Sequence, residues 1–409
     1  NAGAQDIPGA RVDPRRGERP GWRLDRRGIE DGTISAYEDA QTGWNGRHDD
    51  FPENNGHDDS HPAIRLSEEP QRPKRRPRYS GKNPRRFEEK YKEHDPAKFP
   101  DTVAKVLASG KTPAGAHRPI MVAEILEALA PRPGQIAVDA TLGHGGHARE
   151  ILARLAPGGR LIGLDVDPLE LPKTEARLRE AGFGSDVFTA IQSNFAGLPK
   201  ALAALEIPAV DLILADLGVS SMQFDRPDRG FSFKLDGPLD MRLNPTRGQP
   251  ASAFIARASE NELREALVEN ADEPRAEILA RAIAGNRATL QTTTQLTRLV
   301  RTALGKLPPD EIDLSVRRVF QALRIAVNGE MSALESLLRV LPQCLNSQGR
   351  VAILTFHSGE DRRVKKAFKD YSIAGVFSEI SEEVIRPSRD EVRSNPRAAS
   401  AKLRWAIRA

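Results

Sequence analysis

The sequence predicts an α/β fold: a parallel sheet with helices on both faces, interrupted by a helical insertion and preceded by a long irregular extension. Three observations carry this reading. From His117 onward, short apolar runs alternate with segments of helical spacing, the pattern of strands and crossover helices in a parallel sheet. Between Asp225 and Asp313 the strand signal disappears and only helical patterning remains. Before about residue 110, Pro, Gly, Arg and Asp dominate and no segment keeps either period. The 409 residues are too many for one small core. We divide them into a disordered, charged extension (1–112), a sheet domain in two pieces (113–224 and 314–409) and a helical insertion (225–313).

The elements follow in order. "IMVAEILEALAP" (Ile120 to Pro131) has helical apolar spacing and stops at its proline. "QIAVDAT" (Gln135 to Thr141) reads as a buried strand and "HAREILARLA" as the helix after it. "RLIGLDVD" (Arg160 to Asp167), "VFTAIQ" (Val187 to Gln192) and "VDLILAD" (Val210 to Asp216) are the next three strands. "ASAFIARA", "ENELREALVENA", "AEILARAIAGNRA" and "TTTQLTRLVRTAL" are the helices of the insertion. "SVRRVFQALRIAVNGEMSALESLLRVL" returns as long helix. "RVAILTF" (Arg350 to Phe356) is the fifth strand, "DRRVKKAFKDY" the helix behind it, and "VFSEI" and "KLRWAIR" the last strands.

Composition narrows the function classes. The one cysteine, Cys344, rules out a disulfide framework and a cysteine zinc cluster, and points to a reducing, cytoplasmic setting. No apolar run approaches the roughly 18 residues of a membrane helix, so no membrane partner is expected. No signal-peptide pattern opens the chain, which starts at Asn1. Charge is uneven: 9 Lys/Arg against 15 Asp/Glu up to Pro70, then 11 against 4 from Gln71 to Pro100. Within that basic block, "RPKRRPRYSGKNPRR" (Arg72 to Arg86) is either a solvated linker or an arm for nucleic-acid phosphates, with Tyr79 to stack.

"VDATLGHGGHARE" joins the first strand to a helix through Gly143, Gly145 and Gly146. Glycines there let a ligand approach the backbone, and the helix start offers free N–H groups. Asp165 closes the second strand 22 residues after Gly143, where an acid accepts hydrogen bonds from ribose hydroxyls. The pair predicts a nucleoside-bearing cofactor. No Lys-Ser/Thr follows the glycines, so the loop is not a P-loop. A nicotinamide dinucleotide and S-adenosylmethionine remain. The first wants two mononucleotide halves; the second needs one half plus an acceptor pocket at strands four and five, closer to this chain. Asp216 ends the fourth strand and opens "DLGVSS", with Gly218, Ser220 and Ser221 behind it.

Seven segments resemble the bacterial 16S ribosomal RNA (cytosine-N(4))-methyltransferases, the RsmH or MraW family. They are "HRPIMVAEIL", "DATLGHGGH", "GLDVDP", "DLGVSSMQFDRPDRGFSFKLDGPLDMRLNPTRGQ", "RRVFQALRIAVNGE", "FHSGEDRRVKKAF" and "NPRAASAKLR". They run from His117 to the C-terminus, about three quarters of the chain. The resemblance implies a class I methyltransferase sheet, Rossmann-like, with a helical insertion for substrate recognition. It implies S-adenosylmethionine as donor and a cytidine in the decoding region of 16S rRNA, within the small subunit, as acceptor. Carried over, cofactor contacts fall on Gly145, Gly146, His147, Asp165, Phe195, Asp216 and Gln223. Ala271 and Asp272 replace an expected Gly-Glu pair, and Gly359 replaces a larger apolar residue.

For such a reaction the acceptor amine is a poor nucleophile, and nearby acceptors that bind its N–H groups and take its proton would help. Asp216 and Ser220 are the catalytic candidates. Both also suit turn or cap roles. A carbon acceptor would need a cysteine nucleophile, and Cys344 lies outside the fourth-strand loop, which favours nitrogen. Aromatics interleaved with basic residues in "RGFSFKLDGPLDMRL" make Phe231, Lys234 and Arg242 candidates for the RNA. His357, after the fifth strand, and Arg362 and Lys365, on the helix beside it, join them. No histidine completes a recognised metal spacing, so no metal is expected. A DNA or protein amine methyltransferase and an inactive assembly factor are the rival readings, and the chain is expected to be a monomer or homodimer.

Overall fold

A computed structural model describes residues 119–409. The extension 1–112, its Arg72–Arg86 segment and Tyr79, and His117 lie outside the described residues. The first half of the sheet domain is α1 (Val122–Leu129), β1 (Ile136–Asp139), α2 (Gly146–Leu155), β2 (Arg160–Asp165), α3 (Leu171–Glu180), β3 (Phe188–Gln192), α4 (Leu198–Ala204) and β4 (Val210–Asp216). After the insertion come α11 (Glu330–Cys344), β5 (Leu345–Thr355), α12 (Ser358–Ile373), β6 (Phe377–Ile380), α13 (Arg389–Ser394) and β7 (Lys402–Arg408).

Seven strands form one sheet in the order β3-β2-β1-β4-β5-β7-β6. The first five are parallel, and β7 runs antiparallel to both β5 and β6. Because strand side chains alternate, each strand feeds two cores. Val138, Ile162, Ile213 and Val351 face one side, packed with Leu198 of α4, Leu337 of α11 and Phe368 of α12. Ala137, Leu161, Leu212 and Ala352 face the other, packed with Ile125 of α1, Ile151 of α2 and Leu178 of α3. Helices on both faces are what makes the strands continuous apolar runs, and each fully buried large aliphatic side chain contributes about 1.5–3 kcal/mol. Strand order reverses between β1 and β4, so a crevice for a ligand opens at their carboxyl ends.

A short helix, α5 (Ser221–Asp225), follows β4, and the insertion continues through α6 (Ala251–Arg257), α7 (Glu260–Ala271), α8 (Ala276–Gly285), α9 (Thr293–Ala303) and α10 (Pro309–Asn328). They bury a core of their own that includes Ile255, Leu263, Leu279, Leu296, Val316, Val319 and Leu323. The last three lie on α10, so this core reaches past residue 313 into the long helix.

That helix differs from expectation. It is two helices broken at Gly329, whose φ of 59° is left-handed. Asn328 secures the break: its amide donates to the Met241 and Arg324 carbonyls, both at 2.8 Å, and its oxygen accepts the Leu243 N–H at 2.7 Å. β5 starts at Leu345 rather than Arg350, and its pairing with β4 is irregular between those two residues. No described helix is long and apolar enough to cross a membrane.

Candidate active site

The crevice is built on the β1–α2 loop. Gly143 and Gly145 have φ of 49° and 79°. A Cβ on Gly145 would fall 2.9 Å from the Thr174 methyl, and one on Gly146 3.0 Å from Pro119. The loop is thus pressed against α3 at Gly145, whose positive φ also favours glycine. The Gly143 N–H donates to Asp165 Oδ2 at 2.8 Å, and its carbonyl accepts from the Thr174 hydroxyl at 2.5 Å. Asp165 Oδ1 accepts the Asp167 N–H at 2.8 Å. Burial pushes the Asp165 carboxyl above its ordinary range, and the two N–H groups oppose that. α2 has no side chain capping its start, since its N-cap is Gly145.

Three titratable groups meet beyond the loop. Asp139 is 1% exposed and His147 8% exposed. His147 Nε2 stands 3.5 Å from Asp216 Oδ2. The contact falls outside hydrogen-bond geometry and acts by charge attraction. Burial alone would lower the His147 pKa, but Asp216 and Asp139 together raise it. Burial pushes Asp139 up to about 6, against the attraction of His147 and the Thr141 N–H. Asp216 is fixed through its backbone: its N–H donates to the Thr141 hydroxyl at 2.6 Å. Its carboxylate is left 25% exposed at the tip of β4.

The acceptor loop turns at Gly218, whose φ is 102°. Ser220 caps α5: its hydroxyl accepts the Gln223 N–H at 3.3 Å while Gln223 Oε1 accepts the Ser220 N–H at 3.0 Å. Gln223 Nε2 donates to Asp167 Oδ2 at 2.8 Å. The Gln223 side chain is therefore engaged at both ends within the protein. Asp167 is 0% exposed and also receives Arg229 Nη1 at 2.8 Å. Sequence reading missed Asp167, Arg229, Thr141 and Thr174. The signal for Asp167 was its place in "GLDVDP", and for Arg229 the "RPDRG" that follows the loop.

The substrate-side candidates scatter. Phe231 is 2% exposed inside the insertion core, so its ring has no face for a base. An aromatic between basic residues, expected to meet RNA, is here a core residue. Lys234 is exposed, with Nζ 5.9 Å from the Phe233 ring centre. Arg242 grips Asp240 through Nε at 2.8 Å and Nη2 at 2.6 Å. His357 caps α12, its Nδ1 accepting the Glu360 N–H at 3.4 Å. Arg362 donates to Asp272 at 3.0 Å, and Ser358 donates to the same carboxylate at 2.6 Å. Lys365 is exposed. Phe195, after β3, is partly buried against the core. Among the described residues, no cluster of His, Cys, Asp and Glu could hold a metal ion.

S-adenosylmethionine suits this donor set. Asp165 sits where the hydroxyl pair of a ribose would need acceptors, and each of its oxygens keeps a second acceptor position. With a single mononucleotide half and an antiparallel seventh strand, the molecule is a class I S-adenosylmethionine-dependent methyltransferase. The chain belongs to the MraW methylase family, whose model matches residues 114–409. It is 52% identical over 345 residues to Ribosomal RNA small subunit methyltransferase H 1 of Lachnoclostridium phytofermentans, covering 82% of this chain and 93% of that protein. To Ribosomal RNA small subunit methyltransferase H 2 of Alkaliphilus metalliredigens it is 52% identical over 342 residues, 82% and 97% of the two chains. Among solved structures, TrmN from Thermus thermophilus covers 71% of this chain and 48% of its own, at 12% identity and a TM-score of only 0.34.

Proposed function

We propose that the enzyme methylates the exocyclic N4 amine of a cytidine in the decoding region of 16S rRNA, within the small ribosomal subunit. The observation that carries the reading is Asp216, anchored by its backbone at the tip of β4 with its carboxylate open to the crevice. The relatives' names supply the substrate class.

Asp165, the Gly143–Gly146 loop, His147 and Phe195 would hold S-adenosylmethionine, which supplies a methyl group activated on a sulfonium. Displacement there is in-line, so the protein contributes positioning and electrostatics. Asp216 accepts a hydrogen bond from the target amine, which concentrates the nitrogen lone pair, and takes the proton released as the carbon–nitrogen bond forms. Ser220 shapes the loop through its cap and retains an O–H that can donate to the base. Cys344 is buried, with its thiol pushed up to about 11 by that burial, and sits at the other end of β5. It gives no support to a carbon-5 mechanism.

The test is methyl transfer from labelled S-adenosylmethionine to 30S subunits, naked rRNA, DNA and protein, with the modified base mapped by mass spectrometry. We expect label in 16S rRNA as N4-methylcytidine, and Asp216→Ala lowering turnover by about 10²–10⁴. Wild-type rates in both Asp216→Ala and Ser220→Ala would remove the catalytic assignment. Label only in DNA or protein would overturn the substrate. No label despite cofactor binding would favour an assembly factor.

A further inference from the structure

We propose that Arg229 is a positioning residue for methyl transfer: its buried bridge to Asp167 sets the acceptor loop in register with the cofactor strand. This rests on the function proposed above and adds a residue to it. Asp167 lies two residues beyond Asp165, and its N–H donates to Asp165 Oδ1 at 2.8 Å. Asp167 is 0% exposed, and both of its carboxylate oxygens are engaged. Oδ1 accepts the Leu169 N–H at 2.9 Å, and Oδ2 accepts Gln223 Nε2 and Arg229 Nη1, both at 2.8 Å. Arg229 is 3% exposed. Its Nη2 donates to the carbonyls of Arg242 at 3.0 Å and Leu243 at 2.9 Å, and its own carbonyl accepts the Met241 N–H at 3.0 Å.

A continuous set of hydrogen bonds results. It starts at the glycine loop, passes through Asp165 to Asp167, and there divides. One branch runs through Gln223 to Ser220 and holds the loop that follows Asp216. The other runs through Arg229 to Leu243, whose N–H is held by Asn328 at the α10–α11 break. Both ends of the segment from Asp216 to Leu243 are thus referred to one buried carboxylate on the cofactor side.

The chemistry of the link argues for registration. A charge pair removed from water is directional, and the planar guanidinium fixes three acceptors at set angles. An apolar residue of equal volume would keep the packing and lose those directions. In-line displacement is sensitive to such errors, a misplacement of about 1 Å costing on the order of 10²-fold.

The experiment compares Arg229→Lys, Arg229→Met and the neutral pair Asp167→Asn/Arg229→Gln with the wild-type full chain. Four quantities are read: affinity for S-adenosylhomocysteine, single-turnover rate on 30S subunits per folded enzyme, Tm, and hydrogen exchange of residues 217–243. For Arg229→Met we expect cofactor affinity within about threefold of wild type, a rate at least about tenfold lower, and faster exchange in 217–243. Arg229→Lys recovers Tm more than rate, because a point charge cannot reach all three acceptors. The neutral pair removes the unpaired buried charge and regains Tm without regaining rate. A wild-type rate in folded Arg229→Met overturns the proposal, as does a neutral pair that restores rate together with Tm. If Arg229→Met does not fold, the other two variants decide. If the wild-type chain transfers no methyl to 30S subunits, the substrate reading fails, and exchange in 217–243 with bound S-adenosylhomocysteine still decides the role of Arg229.

Discussion

At the carboxyl edge of the sheet, a buried Asp139 and a half-buried Asp165 hold backbone. Asp165 takes the N–H groups of Gly143 and Asp167, and Asp139 takes that of Thr141. On the outer surfaces of the insertion and α12, other charges stand in water and hold one another. Arg362 and Asp272 pair at 61% and 46% side-chain exposure, and Lys366 pairs with Asp370 one turn along α12. Burial strengthens an electrostatic contact and fixes it. Exposure leaves it weak and exchangeable. The first arrangement suits a small cofactor of constant shape. The second suits a large polyanion whose phosphates must displace existing partners.

The sharpest way to break this comparison is to remove Asp165. Asp165→Ala leaves two backbone N–H groups without their acceptor, each such loss involving a charged group and costing about 1.5–3 kcal/mol. Cofactor affinity should fall by about 10²-fold or more, measured by calorimetry with S-adenosylhomocysteine. The affinity of the enzyme for 30S subunits should stay near wild type. Equal losses in both would mean that the two regions are not separable in the way their burial implies.

The same contrast decides what could be read from sequence. The strands were legible because a sheet covered on both faces needs unbroken apolar runs. The glycine loop and Asp165 were legible because they are local, a turn and a strand end at fixed spacing. The break at Gly329 was not legible, because helical spacing continues on both sides of it. The burial of Phe231 was not legible, because an aromatic among basic residues has the same sequence signature whether it packs a core or faces RNA. The Arg229–Asp167 bridge spans 62 residues and leaves no periodic trace. Only the topology brings the two together, with the insertion returning its base to β2.

A smaller effect tests burial itself. Asp139 has an ordinary carboxyl pKa of 3.8 and is pushed to about 6 by burial, with His147 and the Thr141 N–H pulling the other way. The native state therefore holds its proton more tightly than the unfolded chain. Stability falls as pH rises from about 4 to about 6 and the penalty is complete above that, amounting to about 3 kcal/mol. Asp139→Asn keeps an oxygen for the Thr141 N–H and removes the ionisation. Its Tm should exceed wild type by several degrees at pH 7.5, and the two should converge near pH 4. A gain of the same size at both pH values would show that the acid is not buried as a charge.

The smallest expected effects belong to the exposed side. Arg362→Ala removes a contact that contributes under about 1 kcal/mol, so Tm should barely move. Lys365, exposed on the same helix, should likewise leave Tm unchanged when replaced by Ala. If these two side chains meet phosphates, each substitution should raise KM for 30S subunits a few-fold and lower the salt dependence of binding by about one ion. Arg362 carries a further signature. Asp272 holds it in the free enzyme, so a phosphate must compete with that carboxylate, and Asp272→Ala should tighten subunit binding where Arg362→Ala weakens it. The double variant should match Arg362→Ala alone. Unchanged KM in all three would place the RNA elsewhere on the insertion and leave the Asp272–Arg362 pair as a joint between α7 and α12.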